Sequence, residues 1–380
     1  MHVIEAMTGG SRRFVLDAIA KLPRDRFHQH VVLSLRRDPY GYSDVELIAA
    51  HGADVTVLDM VRPISIFHDL KALIALRRVI NQWAPHIVHG HSSKGGFLAR
   101  AGVKLCRLPH PPKVIYSPHC FAFMARTDPL RRFLYLCLER LASRWTTHFG
   151  FVSTGELAAA ESARLRCSQR CTIFPLGVNV ECFPQASAQL RREKGLPDGV
   201  IIISVGDLRP QKNPGMLLRA FAPLAHSRRN TYLLLVGEGP LRRQLERLAQ
   251  RLGISQQVLF LGRRDDVPEL LSAADVFVLC SLWEGMPYSL IEAMAAGLPV
   301  AVPDLQGVSD LVGEVGCGLV FQTGSVSAAA AAIKALSEVE AEQRQVYGAA
   351  GRKYVAAHRT LDHFASALED LYVALAGQHR

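Results

Sequence analysis

Short apolar segments alternate with amphipathic segments along almost the whole chain, and this alternation restricts the possible folds more than any other feature. Alternating strands and helices are typical of parallel sheets, because a crossover between parallel strands needs a connection the size of a helix. The sequence therefore predicts an α/β protein. The predicted strands lie in HVIEAM, HQHVVLSL, DVTVLD, HIVHGH, KVIYSPH, THFGFVS and CTIFPLG, and then in GVIIISVG, TYLLLVG, VLFLG, DVFVLCS, PVAVPD and CGLVF.

The two series of predicted strands indicate two doubly wound, Rossmann-like domains, since 380 residues exceed the size of one ordinary core. We expect an N-terminal domain over residues 1–183 and a C-terminal domain over 184–358. A further amphipathic helix over 359–380 could pack back on the first domain. Residues 179–199 contain two prolines and little periodicity, so they are the expected linker.

Positive charge is concentrated in the first half of the chain. Residues 1–183 contain 24 Lys and Arg against 14 Asp and Glu, whereas residues 184–380 contain 20 of each. A basic half predicts an anionic partner, such as a membrane surface, a phosphorylated substrate or a nucleic acid. Aromatic and basic residues are not interleaved, which argues against nucleic acid. A generally basic composition is the alternative explanation, but it does not account for the neutral second half.

No segment has the length or composition of a membrane-spanning helix or a signal peptide. The longest uncharged apolar runs have strand length, far short of the roughly 20 residues that cross a bilayer. The N-terminal segment MHVIEAM lacks the basic start and long apolar stretch of a signal peptide. We therefore expect a cytoplasmic protein.

The segment from Pro129 to Trp145 is a predicted helix with an apolar stripe bordered by arginines. Such a helix could lie on a membrane surface. A core helix with a basic rim is an equally good interpretation. The stripe contains Leu130, Phe133, Leu134, Cys137, Leu141 and Trp145, and the arginines are Arg131, Arg132, Arg140 and Arg144.

Two carboxylates flank a predicted helix start in EGMPYSLIEAMAAGLPV. Glu284 follows a buried strand, where doubly wound sheets bind ligands, and Pro287 suits the first turn of a helix that carries Glu292 in its second turn. The helix N-terminus could bind a phosphate while the carboxylates accept hydrogen bonds from hydroxyl groups. For either glutamate alone the better explanation is structural, with Glu292 as a surface helix residue and Glu284 as a solvated loop acid.

Other glycines and charges also fall in loops that follow predicted strands. Arg209 and Lys212 lie in VGDLRPQKN, and Gly237 lies in VGEGP. The turn TGGSRR offers the amides of Gly9 and Gly10 at a helix N-terminus, with Arg12 and Arg13 behind them. The chain contains neither a G-x-x-x-x-G-K-[ST] loop nor a G-x-G-x-x-G turn after its first strand, which weakens NTPase and dehydrogenase interpretations.

With these motifs the chain resembles the retaining glycosyltransferases of family 4, whose GT-B fold has two Rossmann-like domains facing a central cleft. The most specific element is E-x7-E in EGMPYSLIE. The resemblance implies that Glu284 holds hydroxyls of the donor sugar, Glu292 holds the ribose of the nucleotide and Lys212 binds phosphate. It also implies that Gly9 and Gly10 form the family's glycine turn and that His119, in SPHCFAF, is the active-site histidine. The segment from Val88 to Arg100, VHGHSSKGGFLAR, resembles family members that build surface polysaccharides, including lipopolysaccharide, on lipid carriers.

The resemblance implies a hexosyltransferase that moves a sugar from a nucleotide sugar, most often a UDP-sugar, to a lipid-linked or polysaccharide acceptor with retention of configuration. The first domain would bind the acceptor and the second the nucleotide sugar. The enzyme would work on the inner face of the cytoplasmic membrane, with its anionic surface as a partner. The implied catalytic residues are His119, Glu284 and Lys212, and the implied donor-binding residues are Gly10, Arg209, Lys212, Gly237, Arg263, Glu284, Gly285, Met286, Pro287, Ser289 and Glu292.

We expect no metal and no cofactor beyond the nucleotide sugar as co-substrate. The donor side lacks a DxD-like pair, and Asp265 and Asp266 are interpreted as a helix N-cap. Two alternatives remain open. One is a sugar-nucleotide epimerase of the same architecture, and the other is a non-catalytic subunit that binds a nucleotide sugar.

Asp207 departs from the family pattern, in which an arginine commonly occupies this position. A carboxylate facing a diphosphate would repel it, so Asp207 is expected to turn away or to pair with a cation. One hypothesis is that Arg209 supplies the missing charge beside Lys212. The alternative is that Arg209 is a solvated loop residue and Lys212 acts alone.

Overall fold

The computed structural model describes residues 1–37 and 40–377 and divides the chain into two units. The first unit contains Met1–Leu176 and the described part of the segment that begins at Leu361, and the second contains Gly177–Thr360. The division therefore falls between Leu176 and Gly177, whereas the expected boundary was 183/184. The expected linker, residues 179–199, lies within the second unit, and residues 188–193 form a helix there.

The sheet of the first unit has seven parallel strands in the order β3-β2-β1-β4-β5-β6-β7. Every strand segment predicted in the first half contains one of them. Helices cover both faces of such a sheet, which is why the central strands β1, β4 and β5 are almost entirely buried. The strands are β1 (His2–Ile4), β2 (His30–Leu33), β3 (Asp54–Val57), β4 (Ile87–His91), β5 (Lys113–Ser117), β6 (His148–Phe151) and β7 (Cys171–Ile173).

Six helices connect these strands, and the C-terminal helix α15 joins the same unit. Helix α15 packs against α1, where Lys21 contacts Asp362 at 2.9 Å. The last three residues of the expected 359–380 segment lie outside the described residues. The helices of this unit are α1 (Gly9–Lys21), α2 (Tyr42–Ala50), α3 (Ile66–Trp83), α4 (Ser92–Lys104), α5 (Pro129–Ala142), α6 (Thr154–Ser162) and α15 (Leu361–Ala376).

The second unit contains a six-stranded parallel sheet in the order β10-β9-β8-β11-β12-β13. Its strands are β8 (Val200–Val205), β9 (Thr231–Val236), β10 (Val258–Gly262), β11 (Val276–Val278), β12 (Val300–Pro303) and β13 (Gly318–Phe321). Its helices are α7 (Ala188–Glu193), α8 (Pro214–Ser227), α9 (Arg242–Arg251), α10 (Val267–Ser272), α11 (Tyr288–Ala295), α12 (Val308–Val315), α13 (Val326–Glu338) and α14 (Ala341–His358). Both units are therefore doubly wound α/β domains, as predicted.

Helix α5 turns its apolar stripe outward, so the core-helix interpretation of this segment is wrong. The side chains of Leu130 and Phe133 are 77% and 61% exposed, whereas Glu139 is buried. Glu139 accepts hydrogen bonds from the guanidinium of Arg100 at 2.9 Å and from the hydroxyl of Tyr116 at 2.8 Å. This buried polar contact directs the helix, because an unpaired carboxylate could not remain in the core. In the part of the chain that the structure describes, no helix is both long and apolar enough to cross a bilayer.

Candidate active site

The strand order of the second sheet reverses between β8 and β11, and loops from these two strands meet at that point. Ligands of doubly wound sheets bind where the order reverses, outside the carboxyl ends of the strands. Residues 206–213 follow β8 and residues 279–287 follow β11. The backbone N–H of Leu282 donates a hydrogen bond to the carbonyl of Gln211 at 2.8 Å. The two loops are therefore joined at the expected ligand position.

An ion pair between Lys212 and Glu284 connects these loops. The Nζ of Lys212 lies 2.6 Å from Oε1 of Glu284, and the carboxylate is buried. The side-chain amide of Gln211 donates to the carbonyl of Trp283 at 3.0 Å and to Oε2 of Glu284 at 3.4 Å. Each carboxylate oxygen keeps a lone pair for a ligand hydroxyl, and the ammonium keeps further hydrogens for an anion. Sequence reasoning missed Gln211, although it precedes Lys212 in the same loop.

Glycines allow the loop after β8 to approach its neighbours closely. A Cβ atom on Gly237 would lie 2.2 Å from the carbonyl oxygen of Gly206, and Gly237 has a φ of +137°. A Cβ atom on Gly206 would come within 3.2 Å of the Lys212 side chain. Gly206, Asp207 and Lys212 contribute to the lining of a small pocket at this strand edge. Gly237 therefore contributes to the site by allowing its backbone to lie close to Gly206, which a side chain would prevent.

The two glutamates of E-x7-E lie on either side of a helix N-terminus. Helix α11 has Pro287 at its N-cap position with no side-chain cap, so its first amides face the loop that carries Glu284. Gly285, Met286, Pro287 and Ser289 are buried in this turn, and Glu292 is half-buried in the second helical turn. The positive end of the helix dipole favours an anion at this position.

Arg209 is paired with Asp207, the residue of the same loop that departs from the family pattern. Its Nε lies 3.1 Å from Oδ2 of Asp207, and both side chains are partly exposed. The carboxylate thus offsets part of the positive charge that Arg209 was expected to supply. Arg263 is exposed just after β10.

Asp266 is the N-cap residue of α10, as expected, but its side chain makes no cap hydrogen bond. It pairs instead with Arg264 at 2.7 Å and with Lys194 at 2.8 Å. The hydrogen bonds from Arg264 hold the pKa of Asp266 well below its usual value. Asp266 therefore stays ionised.

In the first unit, the glycine turn begins helix α1 at the carboxyl end of β1. Gly9 has a φ of +55°, and a Cβ atom there would meet nothing within 4 Å. The side chains of Arg12 and Arg13, which were expected to add positive charge to this turn, pair with carboxylates instead. Arg12 contacts both carboxylate oxygens of Asp44, at 2.7 and 2.6 Å, and Arg13 contacts Asp17 at 2.9 Å. The side-chain charges of Arg12 and Arg13 are therefore paired with carboxylates, and the predicted role of this turn in anion binding would rest on the backbone amides of Gly9 and Gly10.

His119 lies in a strained turn after β5. His119 and Cys120 have φ values of +50° and +86°, a conformation that residues other than glycine rarely adopt. The amide of Cys120 donates to the buried carboxylate of Glu156, which also accepts from the amide of Val152 at 2.9 Å. The ring of Phe14, from α1, packs edge-on against His119 with centroids 5.0 Å apart. These contacts hold His119 near the α1 turn of the same unit.

Three buried histidines lie behind His119, a cluster that sequence reasoning missed. Ring nitrogens of His2, His89 and His91 lie within 4.8 Å of one another, close enough to consider a metal ion. Both nitrogens of His89 are hydrogen-bonded, to the hydroxyl of Tyr372 at 2.7 Å and of Ser117 at 2.9 Å. Both nitrogens of His91 are also hydrogen-bonded. A metal ion could bind only by displacing these contacts.

The sequence contains a signal for the cluster. His89 and His91 are two residues apart on β4 and therefore share one face of the sheet, and His2 pairs in register with His89. Burial lowers the pKa of each of the three histidines, so their rings are neutral at pH 7.

Comparison with known proteins identifies the family. The model described as "Glycosyl transferase 4-like domain" matches residues 9–177, and "Glycosyl transferases group 1" matches residues 187–354. The UDP-Gal:alpha-D-GlcNAc-diphosphoundecaprenol alpha-1,3-galactosyltransferase of Escherichia coli is 30% identical over 313 residues, which cover 80% of this chain and 79% of that protein. The chain belongs to glycosyltransferase family 4. It is a hexosyltransferase.

Solved structures confirm the GT-B fold of this glycosyltransferase. Anabaena Alr3699/HepE in complex with UDP and glucose superposes with a TM-score of 0.81 at 19% identity and covers 98% of each chain. WaaG, a glycosyltransferase involved in lipopolysaccharide biosynthesis, superposes with a TM-score of 0.75 at 19% identity and covers 96% of this chain and 97% of its own.

Proposed function

We propose that the enzyme transfers a hexose from a UDP-sugar to a lipid-linked saccharide with retention of configuration. The ion pair of Lys212 with Glu284 at the reversal of strand order carries this proposal, because it sets a cation and a hydroxyl acceptor beside the N-terminus of α11. The Escherichia coli relative is named for transfer from UDP-Gal to a diphosphoundecaprenol-linked sugar, and HepE was solved with UDP. Both names support a UDP-sugar donor, and the first supports a lipid-linked acceptor.

In this proposal each polar group near α11 binds a different part of the donor. Glu292 accepts hydrogen bonds from the ribose, and Glu284 accepts them from hydroxyls of the sugar. Lys212 and the amides of the Glu284–Ser289 turn stabilise the diphosphate. Preorganised donors of this kind are usually the largest catalytic contribution where negative charge develops.

The proposed transfer step breaks the bond between the anomeric carbon and the β-phosphate oxygen and forms one bond to the acceptor oxygen. The bonding electrons leave with the UDP. The departing phosphate oxygen takes the proton of the acceptor hydroxyl. The acceptor oxygen attacks the same face of the sugar from which UDP departs, which explains the retention of configuration at the anomeric carbon.

Turnover measurements with UDP-, GDP- and ADP-sugars test this function. Thermal shift first selects the donor, and nucleotide release is then followed with and without a polyprenyl-diphosphate-linked sugar. We expect release of UDP that increases when the acceptor is added. A changed sugar still attached to the nucleotide would instead indicate an epimerase, and binding without turnover would indicate a non-catalytic subunit.

We also propose that transfer needs no metal ion, because the donor side lacks a DxD-like pair. Activity should then survive dialysis against EDTA. Loss of activity that Mn²⁺ or Mg²⁺ restores would contradict this proposal.

We propose that the first unit binds an anionic membrane surface through α3 and α5. Both helices follow carboxyl ends of strands, so both begin at the same edge of the parallel sheet. Helix α4 packs against each of them, and its Lys94 contacts the carbonyl of Pro63 at 3.1 Å and Asp69 at 2.6 Å. The exposed apolar side chains are Ile64, Ile66, Phe67, Leu70 and Ile74 around α3 and Leu130, Phe133, Leu134 and Leu141 on α5.

Basic residues near these apolar side chains match an anionic partner. Lys71 lies on α3, and Arg131 and Arg132 lie in the first turn of α5. Apolar side chains bordered by Lys and Arg are typical of helices that bind at the lipid interface. The arrangement therefore supports peripheral attachment to the inner face of the cytoplasmic membrane.

Vesicle flotation tests this attachment. The full chain should bind phosphatidylglycerol vesicles more strongly than phosphatidylcholine vesicles, and salt should weaken the binding. The double variant Arg131→Glu/Arg132→Glu should lose most of this preference. Arg243→Glu/Arg247→Glu on α9 is the matched control, because it makes the same charge change in the second unit. Equal partitioning of the unmodified protein onto both vesicle types would contradict the proposal.

A further inference from the structure

A buried carboxylate joins three neighbouring segments of the first unit next to His119. Glu156 lies in the first turn of α6 and is fully buried. Its Oε1 accepts a hydrogen bond from the backbone amide of Cys120, in the turn after β5. Its Oε2 accepts one from the amide of Val152, directly after β6, at 2.9 Å. Because β5 and β6 are paired in the sheet, Glu156 connects the ends of two adjacent strands to α6.

The two hydrogen bonds need the two acceptor oxygens of a carboxylate. A glutamine of the same shape would offer one oxygen and would turn its NH₂ group toward the second amide, which cannot accept. Burial disfavours the charged form and raises the pKa of Glu156 to about 7, whereas the two backbone amides favour the ionised carboxylate. A buried acid is therefore present where a neutral amide would fill the same space with one hydrogen bond fewer.

The turn that Glu156 contacts has a strained backbone. His119 and Cys120 have φ values of +50° and +86°, and side-chain-bearing residues keep such values only where their surroundings fix them. The ring of His119 has contacts of its own, with Nδ1 of His91 at 3.0 Å and with the edge-on ring of Phe14. These two contacts act on the ring, and the hydrogen bond to Glu156 acts on the backbone.

We propose that Glu156 is a positioning residue whose carboxylate holds the strained turn of His119 and Cys120 and thereby fixes the position of His119 in the active site. Glu156 acts through the backbone and does not touch the substrate. The effect on catalysis rests on the proposed function, in which His119 is an active-site residue, whereas the effect on the turn does not.

Hydrogen exchange at Cys120 tests the contact itself. The full chain is labelled with ¹⁵N-cysteine, and the amide signal of Cys120 is assigned with Cys120→Ser. We expect this amide to exchange slowly in the unmodified protein and to exchange faster in Glu156→Gln. Exchange in the unmodified protein as fast as in an unfolded chain would overturn the proposal, whether or not the variant folds.

Transfer kinetics test the consequence for the active site. We expect Glu156→Gln to lower kcat by about 10- to 10²-fold, the loss that a displacement of about 1 Å can cause. The affinity for UDP, measured by isothermal titration, should not change, because the proposed ribose and phosphate contacts lie in the second unit. A folded Glu156→Gln enzyme with unchanged kcat would overturn the proposal.

Ser153→Ala is the matched control on the same helix. The Oγ of Ser153 accepts a hydrogen bond from the amide of Glu156 at 3.2 Å and caps α6. Its removal weakens the helix start but leaves the carboxylate of Glu156 in place. We expect Ser153→Ala to keep its kcat and the slow exchange of Cys120. An equal loss of kcat in Ser153→Ala and Glu156→Gln would show that the stability of α6 is what matters, and would overturn the positioning role.

The two measurements also separate this proposal from the proposed function. An unmodified protein without transfer activity from any of the nucleotide sugars would contradict the proposed function alone. The ring signals of His119, observed with ¹⁵N-histidine, would then decide the role of Glu156. A shift of these signals in Glu156→Gln but not in Ser153→Ala would support it, and unshifted signals in both variants would overturn it.

Discussion

Lys212 and Arg209 carry the same charge within one loop but have different partners. Lys212 contacts the buried Glu284 at the strand reversal, whereas Arg209 contacts Asp207 near the surface. A cation that is already paired with a neighbouring acid has less charge to offer a diphosphate. The structure therefore favours Lys212 as the main phosphate-binding cation of this loop.

Removing the two cations should have unequal effects on turnover. We expect Lys212→Ala to lower kcat by about 10²- to 10³-fold, as for the loss of one preorganised donor to developing charge. Arg209→Ala should lower kcat by less than about tenfold, because its charge is offset by Asp207. Steady-state kinetics with the selected UDP-sugar measure both, and Asp207→Asn is the control for the pair. Similar losses in the two alanine variants would instead support shared phosphate binding.

Substitution of Glu292 should affect nucleotide binding, whereas substitution of Glu284 should affect sugar recognition. A ribose contact is present in every donor complex, so Glu292→Ala should weaken the binding of UDP by about 1.5 to 3 kcal/mol, the range for hydrogen bonds to charged groups. Glu284→Ala should affect UDP less and impair turnover of the UDP-sugar more. Isothermal titration with UDP gives the affinities. If UDP binds Glu292→Ala as tightly as the unmodified enzyme, the ribose role is wrong.

At the scale of single elements, α5 is oriented by its polar side. Arg100 is fully buried, its guanidinium carbon lies 3.7 Å from the ring centroid of Tyr116, and its NH1 donates to Glu139. The apolar residues Leu130 and Phe133 consequently face outward. A helix can thus leave an apolar stripe exposed when a buried ion pair requires the opposite face to point inward.

Removing Glu139 should therefore destabilise the first unit strongly. Glu139→Ala leaves the guanidinium of Arg100 buried without its carboxylate, and breaking such a pair costs about 3–5 kcal/mol. Arg132→Ala, on the exposed side of the same helix, should change the free energy of unfolding by less than about 0.5 kcal/mol. Urea unfolding followed by circular dichroism compares the two variants. Equal stability of both would show that the buried pair does not hold α5.

At the scale of the whole molecule, the two units differ in how pH should affect them. His2, His89, His91 and His119 all lie in the first unit, and burial lowers the pKa of each. Below the unfolded pKa of about 6.5 the unfolded chain binds protons that the folded unit does not, so stability falls as the pH falls. Burial raises the pKa of Glu156 to about 7 and of Asp17 to about 6, which acts in the opposite sense. Four histidines reduce the stability at low pH and two carboxyl groups increase it, so the net expectation is a loss of stability as the pH falls.

The first unit should therefore unfold at lower urea concentration at about pH 5.5 than at about pH 7.5. Each histidine contributes at most about 1.4 kcal/mol per pH unit in this window. His89→Asn should reduce the pH dependence by up to this amount, and the transition of the second unit serves as the internal reference. Unfolding of the first unit that does not depend on pH in this range would contradict the burial of neutral histidines.

Local patterns in the sequence determined the fold class and the position of the proposed donor site. All the predicted strand segments contain strands, because apolar runs of strand length bounded by turn residues favour strands through local interactions. The spacing of E-x7-E likewise places Glu284 before α11 and Glu292 in its second turn. These features depend on residues within one or two elements.

Contacts between distant residues were decided only in the tertiary structure. The outward face of α5 depends on Arg100, which precedes Glu139 by 39 residues, and the cluster of buried histidines depends on the contact of His2 with His91, 89 positions apart. The chain divides between Leu176 and Gly177, and Val178, just after this point, pairs with the distant Thr360. Periodicity and local motifs report which face of an element is apolar, but they do not report which buried polar group finds a partner. In this protein that pairing set the orientation of α5 and the surroundings of His119.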